Sequence, residues 1–181
     1  NMFVTHLLWE SLENSLQHPN ATIGMFSISQ IGKKSLILAI ADNGDPIPET
    51  IYEHFRLTNL DKLDNLPKHY NRLQFSVDLR EKIISHSTIE GVSRKNLLSY
   101  DDYLKLVNYE IRRENEPELE LGKGLTHIRD TTVDEFKGQL IIATDGISVR
   151  YKSSSKDAYT KPKPVDFGFV WPGNLLRLQL P

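Results

Sequence analysis

Apolar side chains follow a helical spacing near the start of the chain and then change to the two-residue period of β-strands. An apolar stripe predicts a helix over residues 2–17, which ends at His18-Pro19-Asn20. Residues 21–30 then alternate apolar and polar positions, and residues 35–41 form an almost continuous apolar run. Two such runs separated by a short polar turn are typical of a β-hairpin.

The C-terminal part of the sequence again shows strand periodicity. The segments GQLIIATDG and ISVRYK meet at Asp145-Gly146, a dipeptide that favours a hairpin turn, and NLLRLQLP forms a final alternating strand. Helices are predicted at about 48–56 and after the glycine-rich loop at 122–124. This order predicts a two-layer α/β sandwich, in which helices cover one face of a mixed, mainly antiparallel sheet.

The segment between the two halves, residues 57–121, is charged and rich in Asn, Ser and Tyr, which favours a peripheral insertion. A segment of this length is too long to be a bare loop in a compact domain. We therefore predict that it carries helices of its own at about 76–87 and 99–113, the first of them buried on the side of Leu79, Ile83 and Ile84.

The composition is that of an ordinary globular chain. With 181 residues, 39% hydrophobic and 25% charged, residues 1–181 can form a single domain with a sizeable core. The formal net charge of -2 gives no sign of general nucleic-acid binding. Without cysteines, a signal peptide or an apolar run of ~20 residues, the sequence predicts a cytoplasmic protein that does not enter a membrane. Because the chain opens directly in a helical pattern, we expect it to be a fragment of a longer protein.

Glu10 and Asn14 form the first patch of candidate chemistry. They lie four residues apart on the predicted helix, so their side chains share a face, which points away from the apolar stripe. A carboxylate and a carboxamide in this arrangement could hold Mg²⁺ with its waters, and Glu10 could orient or deprotonate a water. The alternative is an ordinary polar pair on a solvated helix face.

The second patch is Asp42-Asn43-Gly44, directly after the apolar run of the predicted hairpin. A carboxylate at the end of a buried strand could accept a hydrogen bond from an adenine amino group, and Gly44 would leave room for the base to approach the backbone. The alternative is that Asp, Asn, Gly and Pro here form only a turn.

The third patch is the sequence Gly122-Lys123-Gly124-Leu125 before a predicted helix. Glycines at such a position allow backbone N–H groups to point at a phosphate, and the N-terminus of the helix adds positive potential. A plain loop that leads into a helix is the alternative.

Taken in order, the three patches resemble the ATPases of the gyrase, heat-shock chaperone, histidine kinase and MutL superfamily, known as GHKL ATPases with the Bergerat fold. ESLENSLQHPNATI resembles the family's asparagine-containing box, DNGDPIPETIYEHF its first glycine box with the following helix, and GKGLTHIRD its second glycine box. KGQLIIATDGISVRY and PGNLLRLQLP resemble the closing strands of the histidine-kinase and anti-sigma branches. Residues 57–121 would then be a helical lid insertion.

The resemblance implies that the cofactors are ATP and Mg²⁺ and assigns roles to residues of the three patches. Asp42 would read adenine with Gly44 beneath the ring, Asn14 would bind Mg²⁺, and Glu10 would be the general base of the members that hydrolyse ATP. Nucleotide contacts are implied for the following positions: Asn14, Asp42, Gly44, Ile47, Gly122, Lys123, Gly124 and Leu125. Basic residues of the predicted lid are candidates for a contact with the γ-phosphate: Lys62, Lys68, Arg72, Arg80, Lys82, Arg94 and Lys95.

One position departs from the family pattern. The first glycine box usually reads Asp-x-Gly-x-Gly-Ile-Pro, whereas here Pro46 replaces the second glycine, and Asp45 adds a negative charge before it. Proline fixes φ and has no backbone donor, so catalysis would be impaired while binding survives if that glycine serves lid closure.

The function implied by the resemblance is a Mg-ATP-binding, histidine-kinase-like ATPase domain, which hydrolyses ATP slowly or uses it as a conformational switch. Two alternatives stay open. One is the phosphotransfer domain of a histidine kinase or an anti-sigma-like serine kinase, and the other is a non-catalytic interaction module that retains the fold. We also expect a protein partner or a flanking domain, and we leave a homodimer open.

Overall fold

The computed structural model describes residues 5, 7–9, 11, 20–32, 35–58, 66–88, 124–153, 163–164 and 173–181. The described strands form one sheet in the order β1-β2-β6-β3-β4-β5. Their bounds are β1 Gly24–Ile31, β2 Ser35–Asp42, β3 Gln139–Thr144, β4 Ile147–Lys152, β5 Lys163–Pro164 and β6 Asn174–Leu180. The predicted hairpins and the predicted terminal strand are therefore confirmed.

Each pair of neighbouring strands in the described part of the sheet is antiparallel. The expectation of a mixed sheet is wrong for these strands, and the reason lies in the position of β6. This last strand lies between β2 and β3 and is antiparallel to both. β2 and β3 therefore run in the same direction but are not neighbours in the sheet.

The helices of the described part are α1 Ile47–Thr58, α2 Val77–His86 and α3 Gly124–Asp130, and α3 continues into a turn of π-helix, Thr131–Glu135. These bounds confirm the helices predicted at about 48–56, at about 76–87 and after the glycine-rich loop. Residues 5, 7–9 and 11 of the predicted N-terminal helix are helical. The helix predicted at about 99–113 lies outside the described residues.

The sheet has one apolar face, built from rows of side chains that lie opposite each other across the strands. One row contains Ile40, Leu176, Ile142 and Val149, and the next contains Leu38, Leu178, Leu140 and Tyr151. All eight side chains are 5% exposed or less. Helices α1, α2 and α3 contribute buried apolar side chains to the same core, which supports the predicted two-layer α/β architecture.

Helix α2 belongs to this core, although the sequence placed it in a peripheral insertion. Ile83 and Ile84 are fully buried, as predicted, and the helix packs against α1 and β4. Ahead of it, the rings of Tyr52, Tyr70 and Phe75 lie with centroids 5.0–5.8 Å apart and join the segment to α1. The described residues 66–88 therefore form part of the helical layer, and the other residues of the predicted lid insertion after Thr58 lie outside the described residues.

Two histidines meet where α1 packs against α2. His54 Nδ1 lies 3.0 Å from His86 Nε2, and the edge of the Phe55 ring faces His86 with the centroids 5.4 Å apart. Burial, and then the nearby His54, lower the pKa of His86 below its ordinary value of 6.5.

In none of the described ranges is a helix long and apolar enough to cross a bilayer.

We expect the domain to lose stability as the pH falls below about 6.5. The unfolded chain takes up a proton on His86 near the ordinary pKa of 6.5, whereas the folded chain takes it up only at lower pH, so acid favours unfolding. Urea unfolding at about pH 7.5 and 5.5 should show this loss, and His86→Phe should reduce it. The exposed His69, changed to Gln, is the control. An unchanged pH dependence in His86→Phe would contradict the assignment.

Candidate functional site

At one end of the sheet, the apolar face is followed by a row of buried polar side chains. Asp42 ends β2, Asn174 begins β6 and Thr144 ends β3, and all three side chains are 3% exposed. Asn174 and Thr144 are paired in register, and Asp42 follows the last pair between β2 and β6. The row therefore continues the register of the two apolar rows, with polar groups in place of leucine and isoleucine.

Asn174 connects this row to helix α1. Its Oδ1 accepts hydrogen bonds from the N–H of Ile47 at 2.9 Å and from Thr144 Oγ1 at 2.7 Å. Its Nδ2 donates to Asp42 Oδ1 at 3.1 Å and to the Asp45 carbonyl at 3.0 Å. The first N–H groups of a helix have no partner within the helix, and here a buried amide and the Thr144 hydroxyl satisfy that of Ile47.

Asp42 also shapes the turn that follows it. Its Oδ1 accepts a hydrogen bond from the N–H of Gly44 at 2.9 Å, two residues ahead, which is the geometry of an Asx-turn. Gly44 is buried, and it is not among the described glycines at positive φ, which are Gly32 and Gly146. The turn therefore does not require glycine at position 44 for its backbone conformation, and the small size of the residue is what distinguishes it.

Gly173 lies directly against the same turn. A Cβ atom at this position would be 2.0 Å from the Asp42 carbonyl oxygen and 2.7 Å from the Asn43 Cα. Both neighbours are backbone atoms, which cannot rotate away, so the approach of β6 to the end of β2 requires glycine. This contact fixes the position of Asn174, the next residue, beside the Asp42 carboxylate.

The residues after Asp42 are tied to β1 and to helix α1. The Asn43 side chain accepts hydrogen bonds from the N–H groups of Thr22 and Ile23, and the Asp45 carboxylate accepts two from Asn20 Nδ2 at 2.9–3.0 Å. The carbonyl of Pro46 accepts from the N–H groups at the start of α1. Pro46 therefore precedes the helix at a position where its missing N–H is not needed.

A second polar cluster surrounds Asp145, beside Thr144 in the β3–β4 turn. Asp145 and Gly146 have φ values of 51° and 74°, as a two-residue hairpin turn requires. The Asp145 carboxylate is buried, accepts a hydrogen bond from Tyr70 and pairs with Arg80 at 3.2 Å and Arg72 at 3.4 Å. Burial, and then the hydrogen bond to Asp145, raise the pKa of Tyr70.

This cluster changes the interpretation of two basic residues. Arg72 and Arg80 were candidates for a contact with the γ-phosphate, whereas both bind Asp145 in the structure. Arg80 also donates to the Asp145 carbonyl at 2.7 Å. Their positive charges balance a buried carboxylate in the hairpin turn, which gives them a structural role at the end of the sheet.

The structure brings part of the predicted site together and leaves part of it undescribed. Asp42, Gly44 and Ile47 lie within one hydrogen-bonded turn and helix start, and Gly124 is the first residue of α3, with Leu125 packed against the core. The other residues predicted to bind nucleotide or metal lie outside the described residues: Glu10, Asn14, Gly122 and Lys123. The same holds for three of the basic candidates, Lys62, Arg94 and Lys95, whereas Lys68 and Lys82 are described and exposed. Within the described ranges, no cluster of three or more His, Asp or Glu side chains could hold a metal ion.

Sequence reasoning missed Asn174, Thr144 and the cluster around Asp145. The first two had a readable signal, because both occupy positions of an alternating strand where apolar side chains would be expected. Asn174 precedes Leu176 and Leu178 on the buried face of β6, and Thr144 follows Ile142 on β3. Comparisons of the chain with protein-family models, curated proteins and solved structures found no match.

We expect Asn174→Ala to lower the free energy of unfolding by about 3 kcal/mol or more. The substitution removes four hydrogen bonds, three of them fully buried, and a hydrogen bond contributes roughly 0.5–1.5 kcal/mol, or more where a buried group loses its partner. Gln179→Ala, on the other face of the same strand, is the matched control and should change stability by less than about 1 kcal/mol. Equal losses in the two variants, measured by urea unfolding, would contradict the role of Asn174.

Proposed function

We propose that this chain is an ATP-binding domain of the GHKL type, which hydrolyses ATP slowly or uses it as a conformational switch. One observation carries the proposal. Asp42 holds a buried carboxylate at the end of a central strand, oriented by Asn174 and by the N–H of Gly44, next to the start of helix α1. The resemblance of the sequence boxes to those of the GHKL ATPases assigns adenine recognition to this residue.

The geometry around Asp42 suits recognition of an amino group. A carboxylate only accepts hydrogen bonds, so it complements the exocyclic amino group of adenine. The hydrogen bonds from Asn174 and Gly44 to Oδ1 fix the plane of the carboxylate before a ligand arrives, which reduces the entropy lost on binding. The small buried residue at position 44, which backbone conformation does not explain, supports the close approach of a flat ring.

The phosphate end of the proposed site would be formed by the glycine-rich loop and by the Glu10–Asn14 face. The described residues bear on this end only through Gly124 and Leu125, which lie in helix α3, where the proposal places the end of the phosphate loop. Asn14 would hold Mg²⁺, which neutralises charge on the phosphate oxygens when bound. Glu10 would orient the attacking water and accept its proton.

The first glycine box shows why binding and hydrolysis are separable in this proposal. Pro46 replaces the second glycine, and its carbonyl already serves as the first acceptor of α1. The Asp45 carboxylate is held by Asn20, and its carbonyl accepts from Asn174. This loop is therefore fixed at several points, which supports nucleotide binding and favours slow turnover over fast lid-gated hydrolysis.

The two alternatives from the sequence remain distinguishable by experiment. Incubation with γ-labelled ATP and candidate partner proteins separates hydrolysis, which releases labelled phosphate, from phosphotransfer, which leaves a labelled protein. A non-catalytic interaction module would bind no nucleotide at all.

We expect the domain to bind ATP with Mg²⁺ and to bind GTP much more weakly. Guanine carries a carbonyl where adenine has its amino group, so the Asp42 carboxylate would face another acceptor, at a cost of about 1–3 kcal/mol, or roughly fivefold to more than a hundredfold in affinity. Isothermal titration calorimetry measures both affinities. Equal affinities would refute the assignment of Asp42.

The substitution Asp42→Asn tests the role of Asp42 in adenine recognition more directly. The amide oxygen can still accept from Asn174 and Gly44, whereas the other carboxylate oxygen becomes a donor, which repels the adenine amino group. ATP affinity should fall by about tenfold or more while the circular dichroism spectrum is retained. Asp134→Asn, at an exposed position of the π-helical turn, is the matched control and should bind ATP as the wild type does.

We expect Glu10→Ala and Asn14→Ala to separate catalysis from metal binding. Loss of a general base lowers rates by about 10²–10⁴-fold, so Glu10→Ala should reduce any measured hydrolysis and retain ATP affinity. Asn14→Ala should abolish the Mg²⁺ dependence of ATP binding. Phosphate release and calorimetry with and without Mg²⁺ measure the two effects. An unchanged hydrolysis rate in Glu10→Ala would exclude Glu10 as the base.

A further inference from the structure

Strand β1 differs from the other long strands of the sheet in its exposure. All eight of its residues are exposed, whereas β2, β3, β4 and β6 each bury one face. The exposed residues include large apolar side chains on both faces of the strand, together with Ile23 just before it. They are Ile23 at 61%, Met25 at 52%, Phe26 at 45%, Ile28 at 52% and Ile31 at 55% exposed.

The sequence of β1 contains none of the usual features that prevent edge-to-edge pairing. β1 is the outermost strand at one end of the described sheet. Edge strands of monomeric proteins are usually short or carry charges or proline, because unpaired backbone groups invite another strand. Residues 21–32 contain neither a charged residue nor a proline, and β1 is eight residues long. This edge is therefore suited to pairing with a further strand.

The hydrogen bonds to β2 show which backbone groups face the free edge. The N–H of Asn43 donates to the Ile23 carbonyl at 3.2 Å, and the register of the hairpin places these two residues opposite each other. Hydrogen-bonded pairs alternate along an antiparallel pair of strands. The peptide groups of residues 23, 25, 27 and 29 therefore point to β2, and those of residues 24, 26, 28 and 30 point outward.

We propose that β1 is the interface of a homodimer, in which the β1 strands of two copies pair antiparallel about a two-fold axis at Ser27. In this register, Phe26 lies opposite Ile28 of the second copy, and Gly24 lies opposite Gln30 of the second copy. All of these residues present their free backbone groups to the other strand, so the hydrogen-bond pattern is satisfied. Centring the axis at Ser27 also pairs nearly the full length of both strands.

In this arrangement, the side chains of β1 in one copy are complementary to those of β1 in the second copy. Phe26 and Ile28 of both copies form one apolar cluster on the helix-side face of the joined sheet, and the Ser27 side chains face each other on the opposite face. Apolar pairs directly opposite each other stabilise a sheet, and no like charges are opposed within the strands.

The strand is complementary to itself, which favours a second copy over an unrelated extended peptide. The outward-facing backbone groups of residues 24, 26, 28 and 30 are arranged symmetrically about Ser27, and the same register places Phe26 opposite Ile28 at two equivalent positions of the interface. Such a match of one surface with itself is what a two-fold interface requires.

Disulfide trapping tests the register, because the chain contains no cysteine. Ser27 would lie opposite Ser27 of the second copy in a non-hydrogen-bonded pair, at a Cα separation of about 4.5 Å, which a disulfide can bridge. Ser27→Cys should form a covalent dimer under mild oxidation. Ser29→Cys is the matched control on the same exposed face of the strand. Its two copies would be four residues apart along the strands, about 13 Å, and should not cross-link.

Sedimentation of the full chain tests the interface itself. The wild type should have twice the monomer mass of 20.8 kDa, and Leu73→Lys, at a 93% exposed apolar position elsewhere, should keep that mass. Phe26→Lys/Ile28→Lys and Phe26→Glu/Ile28→Glu should each be monomeric because like charges oppose each other. An equimolar mixture of the two should recover the dimer. A monomeric wild type, or equal cross-linking at positions 27 and 29, would overturn the proposal.

Discussion

The arrangement of the candidate site depends on the hydrogen bonds of the Asn174 side-chain amide. This amide joins three strands and a helix through four hydrogen bonds, three of which are fully buried. An apolar side chain of the same size would remove all four bonds at once, at the point where the sheet, the turn after β2 and the start of α1 meet. The residue therefore determines how the helix layer begins on the sheet and how the turn after β2 is oriented.

The change from apolar rows to a polar row marks the boundary between the core and the site. Helices cover the rows that contain Leu38 and Ile40, and the next row is equally buried but polar at three positions, Asp42, Asn174 and Thr144. A low-dielectric environment makes each hydrogen bond in this row stronger and each missing one more costly. Beside it, Asp145 is balanced by Arg72 and Arg80, so two buried carboxylates at the same end of the sheet are held in different ways, one by neutral donors and one by cations.

Much of the fold could be predicted from the order of apolar residues, because the alternation in β4 and β6 reflects one buried and one less buried face, and the apolar runs of β2 and β3 reflect strands that are buried along most of their length. The exposed strand β1 alternates in the same way, so the sequence could not distinguish a half-buried strand from one open on both sides. Asp42 and Gly44 could be selected from the sequence as candidate residues, and the structure places both in one buried turn at the end of β2. Asn174 bonds to Asp42, which is more than a hundred residues away in sequence, and Asp145 pairs with Arg80 on helix α2. Contacts between residues so distant in the sequence leave no local pattern from which they could be predicted. The segment that contains α2 was predicted to be peripheral because charged residues dominate its composition, and the two buried residues Ile83 and Ile84 are too few to outweigh them.

The place of β6 in the sheet has a consequence for how the chain acquires its structure. In the described part of the chain, β6 lies between β2 and β3, so the hairpin of β1 and β2 and the hairpin of β3 and β4 are joined in the sheet through residues 174–180. On a ribosome, where residues emerge in order, the two hairpins can form before β6 has been synthesised. The sheet and the buried polar row can be completed only after residues 174–180 have emerged, so we expect their assembly to be a late and cooperative step of folding.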